Sequence, residues 1–406
     1  MVDNLKTGID RSTGFRYRFL CPSKDEYRWQ WFWDSCFHAI ATAHVDPELA
    51  TDELRALLAR QDDDGFIGHI NYWGSRRPTL HDAWISLQSN NPLFPKHSAM
   101  IQPPMLAQAV ERVWELTGDA AMPLPFMEPL DRYHNWLATN RASGEDSLLT
   151  IVSPYEAGTD QSPAYDSTMG VKSPRPNRWG MGGRDRYLDV RNALLGHDSA
   201  RLLAKGRFHV KDPLVNALYA DSLATMARLH RAQGSVMVAG AYAEQAQRVT
   251  DSIVANLYAR EHGAFFALSG HEERRTEPLV VNGLVPLLLK GLPADVASEV
   301  VERTLHDAGR FWLRYPVPSV AATEPSFDPR GHRLIWRGPT WVNTNWMIWR
   351  GLRRHGYDDL AATLAGRTVD MVVKSGMREF YNPLNGDGLG ATSFGWSALA
   401  LDMLDG

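Results

Sequence analysis

Apolar positions recur along most of this chain at i, i+3, i+4 and i+7, the spacing that paints one face of an α-helix. They come in pairs, separated by loops rich in Gly, Pro and aromatic residues. The pattern predicts helices over 32–44 and 47–61, 98–116 and 123–139, 212–233 and 235–257, 281–290 and 293–307, and 339–355 and 357–374. A last helix over 393–404 should close the chain against a segment near the N-terminus. Pro47 and Pro213 fall at first-turn positions, where a fixed φ and a missing N–H cost nothing. No alternating apolar and polar run separates the pairs. The expectation is therefore an all-α fold, a single (α/α)6 barrel over 1–406 built as a toroid of helical hairpins. A solenoid would need self-similar repeats of roughly 34 to 47 residues, and the pairs share none. Long loops at 141–211 and 308–338 should gather over one mouth, since long ordered loops in compact domains usually serve function. Within them, the Gly-rich 170–191 stretch and the Pro-rich 316–330 stretch have the composition of lids.

Composition narrows the function. The 406 residues are 44% hydrophobic and 22% charged, which excludes a disordered, collagenous or coiled-coil chain. A net charge of −4 invites neither nucleic acid nor anionic lipid. No run of apolar residues is long enough to span a membrane, and the first residues lack a signal peptide's apolar stretch. Two cysteines, Cys21 and Cys36, suit a reducing cytoplasm better than a disulfide scaffold or a zinc site. Asp62-Asp63-Asp64 lacks the loop length and closing Glu of a calcium site. Without a P-loop, a GxGxxG after a strand or an HExxH, no cofactor or metal is expected. The expected partner is a small-molecule substrate, with homo-oligomers left open.

The aromatic count changes the picture more. Fourteen Trp, thirteen Tyr and fourteen Phe exceed what a core of this size asks for, and they concentrate in loops with carboxylates. In Tyr27-Arg28-Trp29-Gln30-Trp31-Phe32-Trp33-Asp34 the three indoles alternate, so an extended stretch would point them one way, with Asp34 placed to cap a helix. That stretch reads either as a core-filling strand or as a sugar site. In the sugar reading, rings stack on pyranose C–H faces and a carboxylate takes hydroxyls. The loop 153–163 (SPYEAGTDQSP), the segment 333–346 (RLIWRGPTWVNTNW) and the stretch 378–388 (REFYNPLNGDG) repeat the theme. Taken singly, each acidic residue there is an ordinary surface group. Gathered on one mouth, an acidic pair in an aromatic cleft is what glycoside hydrolysis needs.

The motifs WFWDS, DGFIGHINY, YEAGTDQSP, IWRGPTW and EFYNPLNGDGLG, in that order from about Tyr27 to Trp396, resemble glycoside hydrolase family 63. They are most similar to its short bacterial enzymes that hydrolyse mannosylglycerate or glucosylglycerate. The resemblance implies an inverting α-glycosidase, with Asp160 as general acid and Glu379 as general base, their carboxyls some 6.5–9.5 Å apart. It also implies that Tyr27, Trp31, Trp33, Asp34, Gln102, Trp336 and Trp341 line the sugar subsite. Tyr155 and Thr159 are placed with the substrate-binding set. For the glycerate carboxylate, Arg207 with the Tyr72 hydroxyl is the first choice, and Arg178, Arg184 and Arg186 are others. Tyr155 stands where the group usually has Trp, and Phe380-Tyr381-Asn382 where it has Tyr-Tyr-Asp, which bears on sugar preference. The alternatives are another (α/α)6 carbohydrate-active enzyme, such as a different α-glucosidase or an epimerase working through paired histidines, and a sugar-binding toroid without catalysis. His38, His69, His81 and His332 are scattered for the epimerase, and a mere binder has no use for Asp160 and Glu379.

Overall fold

The computed structural model describes residues 2–74, 85, 87–142 and 144–405; His81 and Trp84 lie outside them. Twelve α-helices are seen among the described residues: α1 (Phe32–Ala43), α2 (Pro47–Leu58), α3 (Leu106–Thr117), α4 (Leu124–Asn140), α5 (Arg178–Leu194), α6 (Ser199–Lys205), α7 (Pro213–Ala232), α8 (Val236–Leu257), α9 (Ala294–Val300), α10 (Val342–Arg354), α11 (Asp358–Ser375) and α12 (Leu399–Asp405). Side chains of Asp46 and Asp212 accept the first free amides of α2 and α7, beside the prolines that start them.

Packing sorts these helices into two layers. α1 lies against α3, α3 against α7, and α7 against a 3-10 helix, Val281–Leu288; that turn packs on α10, α10 on α12, and α12 on α1. The contacts thus return to their start. α2, α8 and α11 pack outside as the hairpin partners of α1, α7 and α10. Sequence accounts for the sorting. All twelve residues of α1 are buried, as an inner helix touched on every side requires, whereas α8 buries only Ala239, Ala246, Val249, Thr250, Ile253 and Leu257. Each inner Phe or Ile such as Phe37 or Ile40 contributes about 1.5–3 kcal/mol by leaving water.

Several elements depart from the periodicity. Residues 98–105 are not helical: Pro103 and Pro104 delay α3 to Leu106. Pro286 sits inside the helix expected at 281–290 and leaves it 3-10, and 293–307 continues past α9 as a π-turn, Val301–Leu305. The 141–211 loop contains α5 and α6. Hence the Gly-rich 170–191 stretch is largely a helix, started by Asn177, whose side chain accepts the Gly180 amide. The 316–330 stretch remains loop.

Short antiparallel strands tie the loops down. β1 (Leu5–Ile9) pairs with β2 (Arg16–Leu20), which packs on α2. β3 (Gln30–Trp31) pairs with β4 (Ile70–Asn71), Trp31 opposite Ile70. Near the C-terminus, Arg378–Tyr381 pairs with Gly388–Thr392, and the register slips between Arg378 and Phe380. Such a bulge re-aims the side chain it carries, and here that side chain is Glu379.

Candidate active site

A cavity of about 590 Å³ opens where the inner helices begin. Its wall is aromatic. Trp336 and Trp341 stack with centroids 3.8 Å apart and planes 4° from parallel; Trp341 then leans on Phe380 at 4.8 Å and meets Trp396 edge-on at 5.6 Å. Trp33 meets the other side of Trp396 at 5.8 Å. The indole N–H groups of Trp31 and Trp341 are buried without a hydrogen-bond partner among the described residues. A buried N–H left unpaired is costly, so these donors suit a ligand's hydroxyls.

The three alternating indoles do not share one face. β3 ends at Trp31 and α1 begins at Phe32, so Trp31 and Trp33 line the cavity from a strand end and a first helical turn. Trp29 instead meets Tyr72 edge-on at 5.6 Å, and Trp73 packs with Phe15 and Tyr17 in a separate small cluster. Asp34 is not the cap of α1; Trp31 holds that position, and Asp34 sits buried in the first turn, lining the cavity. Burial pushes its carboxyl well above the usual range, aided by Glu379 and opposed by its own amide and the Trp33 side chain. Gln102 accepts the Trp33 amide at 3.0 Å and lines the same wall.

Two further carboxylates face this space. Asp160 follows a 3-10 turn, Pro154–Ala157, and Gly158. Gly158 has φ +68°, and a Cβ there would stand 2.4 Å from the Trp33 ring, so the turn closes on the indole only with glycine. Glu156 anchors the loop from below. It is fully buried, accepts from Nη1 and Nη2 of Arg141, and accepts the amides of Ile101 and Val152. Asp160 is half-buried, and its pKa rises to about 7: burial is the main cause, and the Asp185 carboxylate on α5 adds to it, as does Glu379.

Glu379 stands in the bulge and lines the same cavity. Its Oε1 accepts the Tyr27 hydroxyl at 2.9 Å and its Oε2 the Ala391 amide at 3.0 Å. Burial raises its pKa, while those two donors favour the charged form. Gly390, at φ +65°, must lack a side chain because a Cβ would come within 2.5 Å of Oε2.

Of the residues singled out from sequence, Tyr27, Trp31, Trp33, Asp34, Gln102, Tyr155, Asp160, Trp336, Trp341 and Glu379 line the cavity together. Three do not. Tyr72 is buried, its hydroxyl sealed from solvent and without a partner among the described residues. Thr159 is buried in a network with Tyr165 and Asn282 that continues to Asp212, holding the loop from behind. Arg207 is exposed, its guanidinium 5.7 Å from the Tyr187 ring. The cations at the mouth are Arg178, one of the arginines offered from sequence, together with Arg330, Arg333 and His332. Sequence reasoning missed the last three because their spacing follows no element, and missed Trp396 as a lining residue because its neighbours read as a packing helix. His69 and His38 do not line the cavity, and burial lowers both to about 3, leaving them neutral. No group of three His, Cys, Asp or Glu able to hold a metal is found among the described residues.

Known proteins with this architecture share more than shape. The sequence profile described as the mannosylglycerate hydrolase MGH1-like glycoside hydrolase domain matches residues 27–397. A mannosylglycerate hydrolase of Thermus thermophilus is 31% identical, covering 94% of this chain and 95% of its own. A glucosylglycerate hydrolase of Mycolicibacterium hassiacum is 27% identical, with 92% and 91% covered. The crystal structure of a family 63 mannosylglycerate hydrolase from Thermus thermophilus, in complex with Tris and D-glycerate, superposes at a TM-score of 0.83, with 28% identity over 95% of both chains.

Proposed function

The chain belongs to the mannosylglycerate hydrolase MGH1-like family of glycoside hydrolases, and from that premise we propose that it cleaves a hexosyl glycerate by single displacement with inversion. Glu379 takes a proton from a water that attacks the anomeric carbon. The bond from that carbon to the glyceryl oxygen breaks, and Asp160 gives its proton to the departing oxygen. Hexose and glycerate leave, and Asp160 regains a proton from solvent as Glu379 loses one. The inner and outer layers described above form an (α/α)6 barrel in this reading, with catalysis at the mouth where the inner helices start. The free, buried Cys21 and Cys36 suit a reducing cytoplasm.

One observation carries the reading: two carboxyls in one aromatic cavity stand in different environments. Asp160 is held near pKa 7 by burial and the neighbouring Asp185, so it keeps a proton to give near neutral pH. Glu379 accepts two hydrogen bonds that favour its charged form, so it can take one. The Arg178, Arg330 and Arg333 side chains at the mouth give a carboxylate on the leaving group a place to lie. A neutral leaving group would gain nothing there. The reading is tested by incubating the protein with glucosylglycerate, mannosylglycerate and glucosylglycerol and assaying free hexose. Release from either glycerate and little from the glycerol compound is expected. Equal release from all three refutes the glycerate assignment. Among the described residues His332 is the one histidine lining this cavity, so the paired histidines of the epimerase alternative are not found there.

A further inference from the structure

At the opposite end of the inner layer, two cavities of about 440 and 560 Å³ share Arg350 and Arg354. Both residues come from the last turns of α10, four positions apart and so on one face. The inner helices end here, and their carbonyl ends favour cations over anions. Most of the arginines are committed to that task or to acids. Arg354 bonds the Leu288 carbonyl and one oxygen of Asp221, and Arg228 takes both oxygens of Glu111 at 2.6 and 2.7 Å.

Arg350 is not committed in this way. Its stem carries the guanidinium 4.8 Å from the Trp346 ring, and its Nη1 is sealed from solvent with no hydrogen-bond partner among the described residues. Burial and the charge of Arg354 both make that cation harder to hold. Asp221 lines the larger cavity too, and its second oxygen, Oδ2, is buried with no hydrogen-bond partner among the described residues. Five cationic side chains line this cavity against three acidic ones, Glu111, Glu115 and Asp221. A buried charged donor and a buried charged acceptor, each one partner short, call for a guest that is an anion and also carries a hydrogen-bond donor.

We propose that the larger cavity binds a phosphate group that still carries a proton, its oxygens taken by Arg350 and Arg354 and its P–OH given to Asp221 Oδ2. The site is separate from the catalytic cavity, with which it shares no lining residue. Sulfate has the same shape and charge but no proton at pH 7, so it leaves the Asp221 oxygen facing an anion.

Calorimetric titration of the full chain at pH 7 with inorganic phosphate and, separately, with sulfate tests this. One equivalent of phosphate should bind at least about tenfold more tightly than sulfate. Arg350→Met should weaken phosphate binding at least about tenfold, and Asp221→Asn should erase the preference over sulfate. Arg333→Ala, at the catalytic mouth, should leave phosphate affinity unchanged. Absence of saturable heat with phosphate, equal affinity in parent and Arg350→Met, or a loss confined to Arg333→Ala overturns the proposal. Should Arg350→Met not fold, Arg350→Lys keeps the charge and the stem and must show the same weakening, read as a smaller phosphate-dependent rise in melting temperature. Glycerol phosphate, a monoester that at pH 7 has mostly lost its P–OH proton, should bind more weakly than inorganic phosphate, and equal or tighter binding overturns the role given to that proton.

Discussion

The two mouths of the inner helical layer are built from the same helices and carry opposite chemistry. Where the helices begin, Asp34, Asp160 and Glu379 face an aromatic pit; where they end, Arg228, Arg350 and Arg354 crowd around Asp221. The macrodipole favours this division, since amide ends stabilise anions and carbonyl ends stabilise cations. It does not set the protonation states. Asp160 and Glu379 ride on a loop and a bulged strand laid over the helix starts, and burial raises both. Burial acts on Asp221, within α7, in the same direction, but Arg354 and Arg350 outweigh it and pull the carboxyl below its usual range. Local partners prevail over the helix ends, and the contrast can be broken residue by residue.

The largest expected effects are on the chemistry at the first mouth. Asp160→Asn and Glu379→Gln should each lower kcat by about 10² to 10⁴ with the fold intact, checked by hexose release and circular dichroism. Retention of activity within tenfold by either variant removes that residue from the reaction. Next comes the anchor beneath the acid's loop. Arg141→Met strands the Glu156 carboxylate in the interior, and denaturant unfolding should show a loss of about 3–5 kcal/mol; a loss below about 1 kcal/mol would mean that the pair does not hold the loop.

Smaller effects tune the acid and the base. The acid must be protonated, so activity should fall as pH rises through the Asp160 pKa of about 7. Asp185→Asn removes a neighbouring negative charge, lowers that pKa, and should move the alkaline limb of kcat/KM to lower pH. The base must be charged, so activity should also fall as pH drops through the Glu379 pKa. Tyr27→Phe deletes a donor to that carboxylate and should shift the acidic limb to higher pH, with little change in the alkaline limb. Limbs that stay in place in both variants would show that neither neighbour sets the catalytic pKa values.

The helical hairpins were legible because burial imposes periodicity. α1, α2, α7, α8, α10 and α11 begin and end within a few residues of the pattern, since an inner or outer helix must repeat its apolar face every turn. What periodicity does not encode was missed or misplaced. The register slip that aims Glu379 is a one-residue event in a short hairpin. α5 was hidden by its three glycines, at 180, 182 and 183, and was recoverable only from the Asn177 cap. Of the cations offered from sequence Arg178 reaches the cavity and Arg207 does not, and long-range packing adds Arg330 and Arg333. The aromatic excess was a sound guide to the region. It did not separate Trp33 and Trp341, which line the pit, from Trp29 and Trp73, which pack elsewhere.

The most direct test of the catalytic claim is proton NMR of the hexose first released from α-glucosylglycerate, recorded before mutarotation. Single displacement by a water that Glu379 activates and a leaving group that Asp160 protonates delivers β-glucose. Appearance of α-glucose first would mean that a carboxylate attacks the sugar itself, and would contradict the roles assigned to both residues.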